Sequence, residues 1–467
     1  MSSIIAFTMA QHFRLNPCDY LFWGQHRMNA RRGQGGNVAF MLMDLEGELR
    51  ADWLRDALAA VIKEHPVILG RFDCTLITGR PMWTVHAPAR SDLDRAVDRA
   101  FRHEDLRNDP HWRETLAERS AVGNVTNWNT NADPLVRLEH YALPNYSARL
   151  IIRWPHALMD AEGAQWFLGE LSRCGAGQSP RPASLADDHE IIDPIAAHGL
   201  PTRCRLFARG ASYQRTHSKS RIRLMPPEST TGPIDHRVIH RNLSAEETRR
   251  VQAAARLTMP SGPLLYARHL AASIVRAVHR LYLQRGIETD AYLITLPMRV
   301  GSSDPAGKLF SRRPMNGNYL ISPMLCIPRG IAADPQAIGE MITNQLTSYH
   351  ERRGDLLQWT MMWAASLIHA WVYELVFALP FGGGSFATGN SFYGEIDSPV
   401  RRMGDATVSN LWGGGPNTTP PGLNPVFSRF ADRLNLTLTY TRPAISDATA
   451  AEYVKLIECE MTGESLK

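Results

Sequence analysis

With 467 residues the chain is too long for one hydrophobic core of ordinary size, so two or three domains are expected. Apolar residues make up 44% and charged residues 21%, a globular balance that excludes a disordered or fibrous chain. The net charge of +5 is mild and no basic stripe is interleaved with aromatics, which argues against nucleic acid as a partner.

The six cysteines, Cys18, Cys74, Cys174, Cys204, Cys326 and Cys459, are scattered without a C-x-x-C pair. That pattern fits neither a disulfide framework nor a structural zinc site, so a reducing cytoplasm is expected and no metal. The N-terminus has a short apolar run but neither a basic region nor a long apolar core, so it does not read as a signal peptide.

In chain order, Asn16-Pro17 marks a turn and a short amphipathic helix follows it. Residues 38–47 read as a strand. Residues 52–65 read as a helix with Asp52 as N-cap and one apolar stripe of Leu54, Ala57, Leu58, Val61 and Ile62. Residues 91–131 are polar, loop and short helix. Residues 133–141 and 148–154 are strands, paired as a hairpin across Pro144-Asn-Tyr-Ser147. The chain divides into an N-terminal lobe over 1–174, a Pro/Arg-rich linker over 175–234 and a C-terminal lobe over 235–467.

Within the linker, residues 203–223 carry six arginines and one lysine with no acid, a solvated basic face or a docking surface for an acidic carrier or phosphates. The second lobe opens on a helix over 243–256 with a Ser244/Glu247 capping box. A long helix over 262–286 ends at Gly286, and strands follow at 291–300 and 316–328. A helix covers 335–352. Residues 356–379 are apolar almost all round but are interrupted by Gln358, His369 and Glu374. They read as a buried helix, or one resting on a membrane surface, in preference to a span. Strands at 406–412 and 434–440 and a helix at 447–461 complete the chain. The glycine clusters at 381–385 and 413–417 lack the lysine and the strand–loop–helix setting of a nucleotide site.

The stretch with chemical content is Ala148 to Gly163. A buried strand ends at Pro155, His156 and Asp160 occupy the turn, and a helix begins beyond them. A histidine held between two rigid elements can act as a general base. On spacing alone, a His and an Asp four apart are also a common coincidence.

Several segments together resemble one superfamily, the acyltransferases related to chloramphenicol acetyltransferase, which includes nonribosomal-peptide condensation domains and wax ester synthases. They are His156-A-L-M-Asp160 after a buried strand, V-I-K-E-H-P-V-I-L-G-R-F at 61–72, D-P-L-V-R-L at 133–138, L-P-M-R-V at 296–300, N-G-N-Y-L-I-S-P-M at 316–324 and V-S-N-L-W-G-G-G-P at 408–416. The resemblance covers nearly the whole chain. It implies an α/β fold of two similar lobes in a V with the active-site tunnel between them.

By the same resemblance His156 is the general base and Asp160 a structural residue, with Arg299 its best partner. Asn318, Ser409 and Asn410 become candidates to line the tunnel and hold an oxyanion, or else strand-end caps. The co-substrate implied is a thioester of coenzyme A or of a carrier-protein phosphopantetheine, with no bound cofactor. The acceptor is an alcohol or amine. The sequence departs from the doubled-histidine motif at Pro155, and from the glycine after Asp at Ala161, with Gly163 two further on. Ala161 and Gly163 therefore bear on donor access. The expected activity is free-standing acyl transfer to form an ester or amide. The alternative is a non-catalytic relative that binds a carrier protein or partner enzyme.

Overall fold

A computed structural model of the protein describes residues 11–74, 81–85, 92–121, 128–130, 133–181, 194–217, 223–262, 264–300, 316–369, 372, 391–395, 400–417 and 422–464. The two largest sheets, of six and four strands, and the two largest hydrophobic cores organise them.

The first sheet has six strands. Its order is Arg402–Met403, Ala406–Gly414, Val38–Glu46, Ser147–Pro155, Arg137–Leu143 and Phe101–Asp105. All neighbours are antiparallel except the last pair, which is parallel. The strand Ser147–Pro155 carries the motif and is one of the two central strands, and both its faces are covered. Leu150, Ile152 and Trp154 enter the first-lobe core, while Ile151 and Arg153 face the other way, where Ile151 joins a smaller cluster with Phe40 and Trp412. Each such apolar side chain contributes about 1.5–3 kcal/mol on burial, so register is strongly specified. The hairpin into this strand turns through Asn145 and Tyr146, both left-handed at φ 60° and 51°, the conformation that matches strand twist in a tight turn.

The second sheet has the order Ser391–Glu395, Leu423–Phe430, Arg433–Arg442 and Asp235–Asn242. Helices Ala245–Thr258, Leu265–Gln284, Pro335–Glu351 and Asp447–Thr462 contribute to its core. The capping box at Ser244 and Glu247 is present as expected. The first helix, Pro17–Arg31, serves both lobes, because Cys18 lies in the second core and Trp23 in the first.

Several expectations need correction. The boundary at 235 is a boundary in sequence alone, because strands Arg402–Met403 and Ala406–Gly414 pair into the first sheet. Hydrogen bonding of an otherwise open strand edge decides this, which no local pattern encodes. The segment 175–234 is more than a linker. It contains the helix Leu200–His217, which lays Gly210 against Met361 and Arg203 over the Trp363 ring. Helix Ala51–Glu64 begins after Arg50, which gives no side-chain cap, so Asp52 is a first-turn acid and not the N-cap.

The apolar stretch 356–379 forms the helix Gly354–Ser366 with Leu357 and Trp359 buried. Gln358 pins that helix to Ser322, accepting from its backbone N at 3.1 Å and donating to its O at 3.2 Å. Residues 370–371 and 373–390, including the first glycine cluster, lie outside the described residues. Among the described residues no helix is long and apolar enough to cross a membrane.

Candidate active site

The strand Ser147–Pro155 is directed by pairing Val38 with Pro155, and the next bond is His156 N to Asn37 O at 2.7 Å. A tight turn follows, with Leu158 N on Pro155 O at 2.8 Å and Trp154 Nε1 donating to Met159 O at 2.8 Å. Asp160 then caps the helix Ala161–Gly175, its Oδ1 accepting from the backbone N of Glu162 and Gly163 at 3.1 Å each. Helix and strand thus hold His156 from both sides.

The turn is also zipped to the second lobe. Gly317 N donates to Leu158 O at 2.6 Å, and Met159 bridges Gly317. Gly317 sits at φ 98°, a conformation that calls for glycine, and a Cβ there would also crowd the Tyr319 hydroxyl at 3.0 Å. One residue on, Asn318 is fully buried. Its Nδ2 donates to His156 O at 2.7 Å and to Asp19 Oδ1 at 2.9 Å. Its Oδ1 lies 3.0 Å from His156 Nδ1.

These bonds fix the amide's orientation. A carbonyl and a carboxyl oxygen are acceptors, so they take the two N–H groups of Nδ2, which leaves Oδ1 for the ring. His156 Nδ1 must therefore carry the hydrogen, and Nε2 keeps its lone pair. Among the described residues nothing hydrogen-bonds Nε2, and the ring is only half-buried. Phe22 stacks on the imidazole with centroids 3.9 Å apart and planes 13° from parallel. Loss of hydration lowers the His156 pKa from its ordinary 6.5, opposed by Asp160 and by the Asn318 bond.

The structure sorts the remaining sequence candidates. Asp160 is 2% exposed and acts as a cap, with Oδ2 also 3.4 Å from Tyr319 N. No ion pair between it and Arg299 is seen among the described residues. Its guanidinium meets Glu162 in a half-exposed ion pair, because the helix start turns Glu162 outward while Asp160 turns in toward backbone N–H groups. Ala161 packs on the first-lobe core and Gly163 is buried in the first helical turn.

Ser409 and Asn410 are at the wrong end of their strand. Asn410 is opposite Asp44, which is opposite Arg149, six residues before Pro155 on the motif strand. That is about 20 Å at ~3.3 Å per residue. Ser409 is exposed and donates to Asp44 O, and Asn410 pairs amide to amide with Asn435 at 3.1 Å. The end of this strand nearer His156 is Gly414, opposite Phe40, where a Cβ would fall 2.3 Å from the Phe40 ring.

Sequence reasoning missed Asn16, Asp19, Phe22 and Asn37. Asn16 was read only as part of a turn, and Asp19 falls in the short helix after it. The one available signal was an aromatic at the i+3 position from that acid.

The chain superposes on known structures over nearly its whole length. It matches the first condensation domain of the CDA synthetase at TM-score 0.66 and 15% identity, covering 98% of each chain. It matches the trichothecene 15-O-acetyltransferase TRI3 from Fusarium sporotrichioides at 0.68 and 12%, covering 100% of each. The chain has the chloramphenicol-acetyltransferase-like fold. A third structure with this fold, the starter condensation domain of rhizomide synthetase in complex with C8-CoA and Leu-SNAC, matches at 0.63 and 13%, covering 96% of this chain and 94% of that one. No family model and no curated protein matches the sequence. In this chain of chloramphenicol-acetyltransferase-like fold, His156, Asn318 and the first helix meet where the lobes touch.

Proposed function

We propose that the protein is an acyltransferase that moves an acyl group from a thioester to a hydroxyl or amine, with His156 Nε2 as general base. The observation that carries this reading is the hydrogen bond between His156 Nδ1 and the orientation-fixed Oδ1 of Asn318, which leaves Nε2 without a hydrogen bond among the described residues. In the proposed step Nε2 takes the proton of the acceptor O–H or N–H as that atom bonds to the thioester carbon. The tetrahedral intermediate collapses, the C–S bond breaks, and the imidazolium returns the proton to the departing thiolate. A thioester is already activated, so positioning and one base meet the chemical need. Neither Ser409 nor Asn410 is proposed as oxyanion donor. The donor is a coenzyme A or phosphopantetheine thioester. One structure of the same fold is a complex with C8-CoA, which favours testing acyl-coenzyme A first.

The test follows thiol release from a panel of acyl-coenzyme A and acyl-carrier thioesters against pooled alcohols and amines. Acceptor-dependent release that falls about 10²–10⁴-fold in His156→Ala is expected for a lost general base. Equal release in both proteins removes His156 as the base. The alternative of a non-catalytic carrier-binding protein expects no acceptor-dependent release and tight binding of the carrier.

A further inference from the structure

We propose that Asp19 is a positioning residue for His156, acting through the side chain of Asn318. The inference rests on His156 as the base and names what sets its tautomer.

An acid in the first turn of a helix is ordinarily exposed, where it complements the helix dipole. Asp19, three residues into Pro17–Arg31, is instead fully buried. Its Oδ1 accepts two bonds from one residue of the other lobe, Asn318 N at 2.7 Å and Asn318 Nδ2 at 2.9 Å. Its Oδ2 has no hydrogen-bond partner, and no ion pair among the described residues includes it. A buried carboxyl without an opposite charge is costly as the anion. Burial accordingly raises its pKa from 3.8 to about 8, although the Asn318 bonds pull it down. Near neutral pH the group is a carboxylic acid, with its proton on the unpartnered Oδ2 and Oδ1 left as a pure acceptor.

That acceptor is what Asn318 needs. Without it, one Nδ2 hydrogen loses its partner and only the bond to His156 O still opposes a flip of the amide. A flipped amide would present N–H to His156 Nδ1, pull the ring hydrogen to Nε2 and remove the base. The rest of the first turn makes the same grip. Asn16 caps Asp19 N at 2.8 Å and donates to Asn318 O at 3.2 Å, and Cys18 Sγ reaches Leu320 O at 3.5 Å. One turn later Phe22 covers the imidazole face. A single helix turn thus sets both the tautomer and the plane of the ring.

The experiment compares wild type, Asp19→Ala and Asp19→Asn as full chains. Nitrogen-15 spectra of histidine-labelled protein report the His156 tautomer, with the resonances assigned by their loss in His156→Ala. The thioester assay reports kcat and KM, and a thermal melt reports folding. Wild type should hold a single neutral tautomer with Nδ1 protonated. Asp19→Ala should mix tautomers and lower kcat about tenfold to a hundredfold, with KM within about threefold if binding is untouched. Asp19→Asn keeps an uncharged acceptor and should retain the tautomer and most of kcat. A folded Asp19→Ala with wild-type tautomer and kcat overturns the proposal. If Asp19→Ala fails to fold, a mixed tautomer in Asp19→Asn overturns it. If wild type turns over no thioester, the proposed function fails while the tautomer spectra still decide the role of Asp19.

Discussion

His156 Nδ1 lies 3.0 Å from Asn318 Oδ1, a bond between residues 162 positions apart and between two lobes. The histidine's protonation pattern is therefore set by a residue outside its own motif. Asn318→Ala should lower kcat about tenfold to a hundredfold, as misplacement of a reacting group does, while KM for the thioester stays within about threefold. Steady-state kinetics with saturating acceptor checks this. A change confined to KM would assign Asn318 to substrate binding.

The direction of the His156 shift fixes the acid limb of the pH profile. Desolvation lowers its pKa below 6.5, so the ring is neutral throughout the neutral range. kcat/KM should fall tenfold per unit on the acid side, with the midpoint of that limb below 6.5. A pH–rate profile whose acid limb is centred above 6.5 would contradict the burial of this ring.

Asp160 and Arg299 should separate in a melt. Asp160→Ala removes a helix cap, a loss of about 0.5–2 kcal/mol, and also takes the acceptor from Tyr319 N. Arg299→Ala breaks a half-exposed pair with Glu162 and should cost at most about 1 kcal/mol. Chemical denaturation of the two variants measures the difference. Equal losses would point back to a shared Asp160–Arg299 role.

Ser409→Ala should leave kcat and KM unchanged, since among the described residues its hydroxyl bonds Asp44 O, on the exposed side of the strand. Asn410→Ala should leave kcat unchanged but cost about 1 kcal/mol, because it removes two buried bonds to Asn435 while His240 and Leu411 O still hold that amide. The thioester assay beside a melt reads both.

Asp19→Asn should raise thermal stability, by an amount that grows with pH. In the wild type the folded carboxyl keeps its proton up to about pH 8, whereas the unfolded one loses it near 3.8. The folded state binds more protons between those values, so this site makes stability fall as pH rises through that window. Asparagine removes the dependence. Melting curves at pH 5, 6, 7 and 8 should show a widening gain, and a constant offset would mean the carboxyl is already ionised when folded.

The sequence by itself determined the local elements and the motif. The period-3.6 stripe of Leu54 to Ile62 and the capping box at Ser244 and Glu247 recur in the structure, because they depend on contacts within a few residues. The strand–His156–Asp160–helix order was legible for the same reason. What only tertiary structure decided is everything that crosses between lobes. Ser409 and Asn410 looked like site residues by motif, yet register on a shared sheet carries them six residues away along the motif strand. Arg299 was matched to Asp160 by resemblance, yet the direction of the first helical turn gives it Glu162. Asp19 and Phe22 were invisible, since a first-turn acid and an aromatic read alike whether they face solvent or a histidine more than a hundred residues away. Backbone propensity acts over one turn, whereas strand register and lobe packing are set by pairings hundreds of residues apart, and those pairings decide which polar groups meet His156.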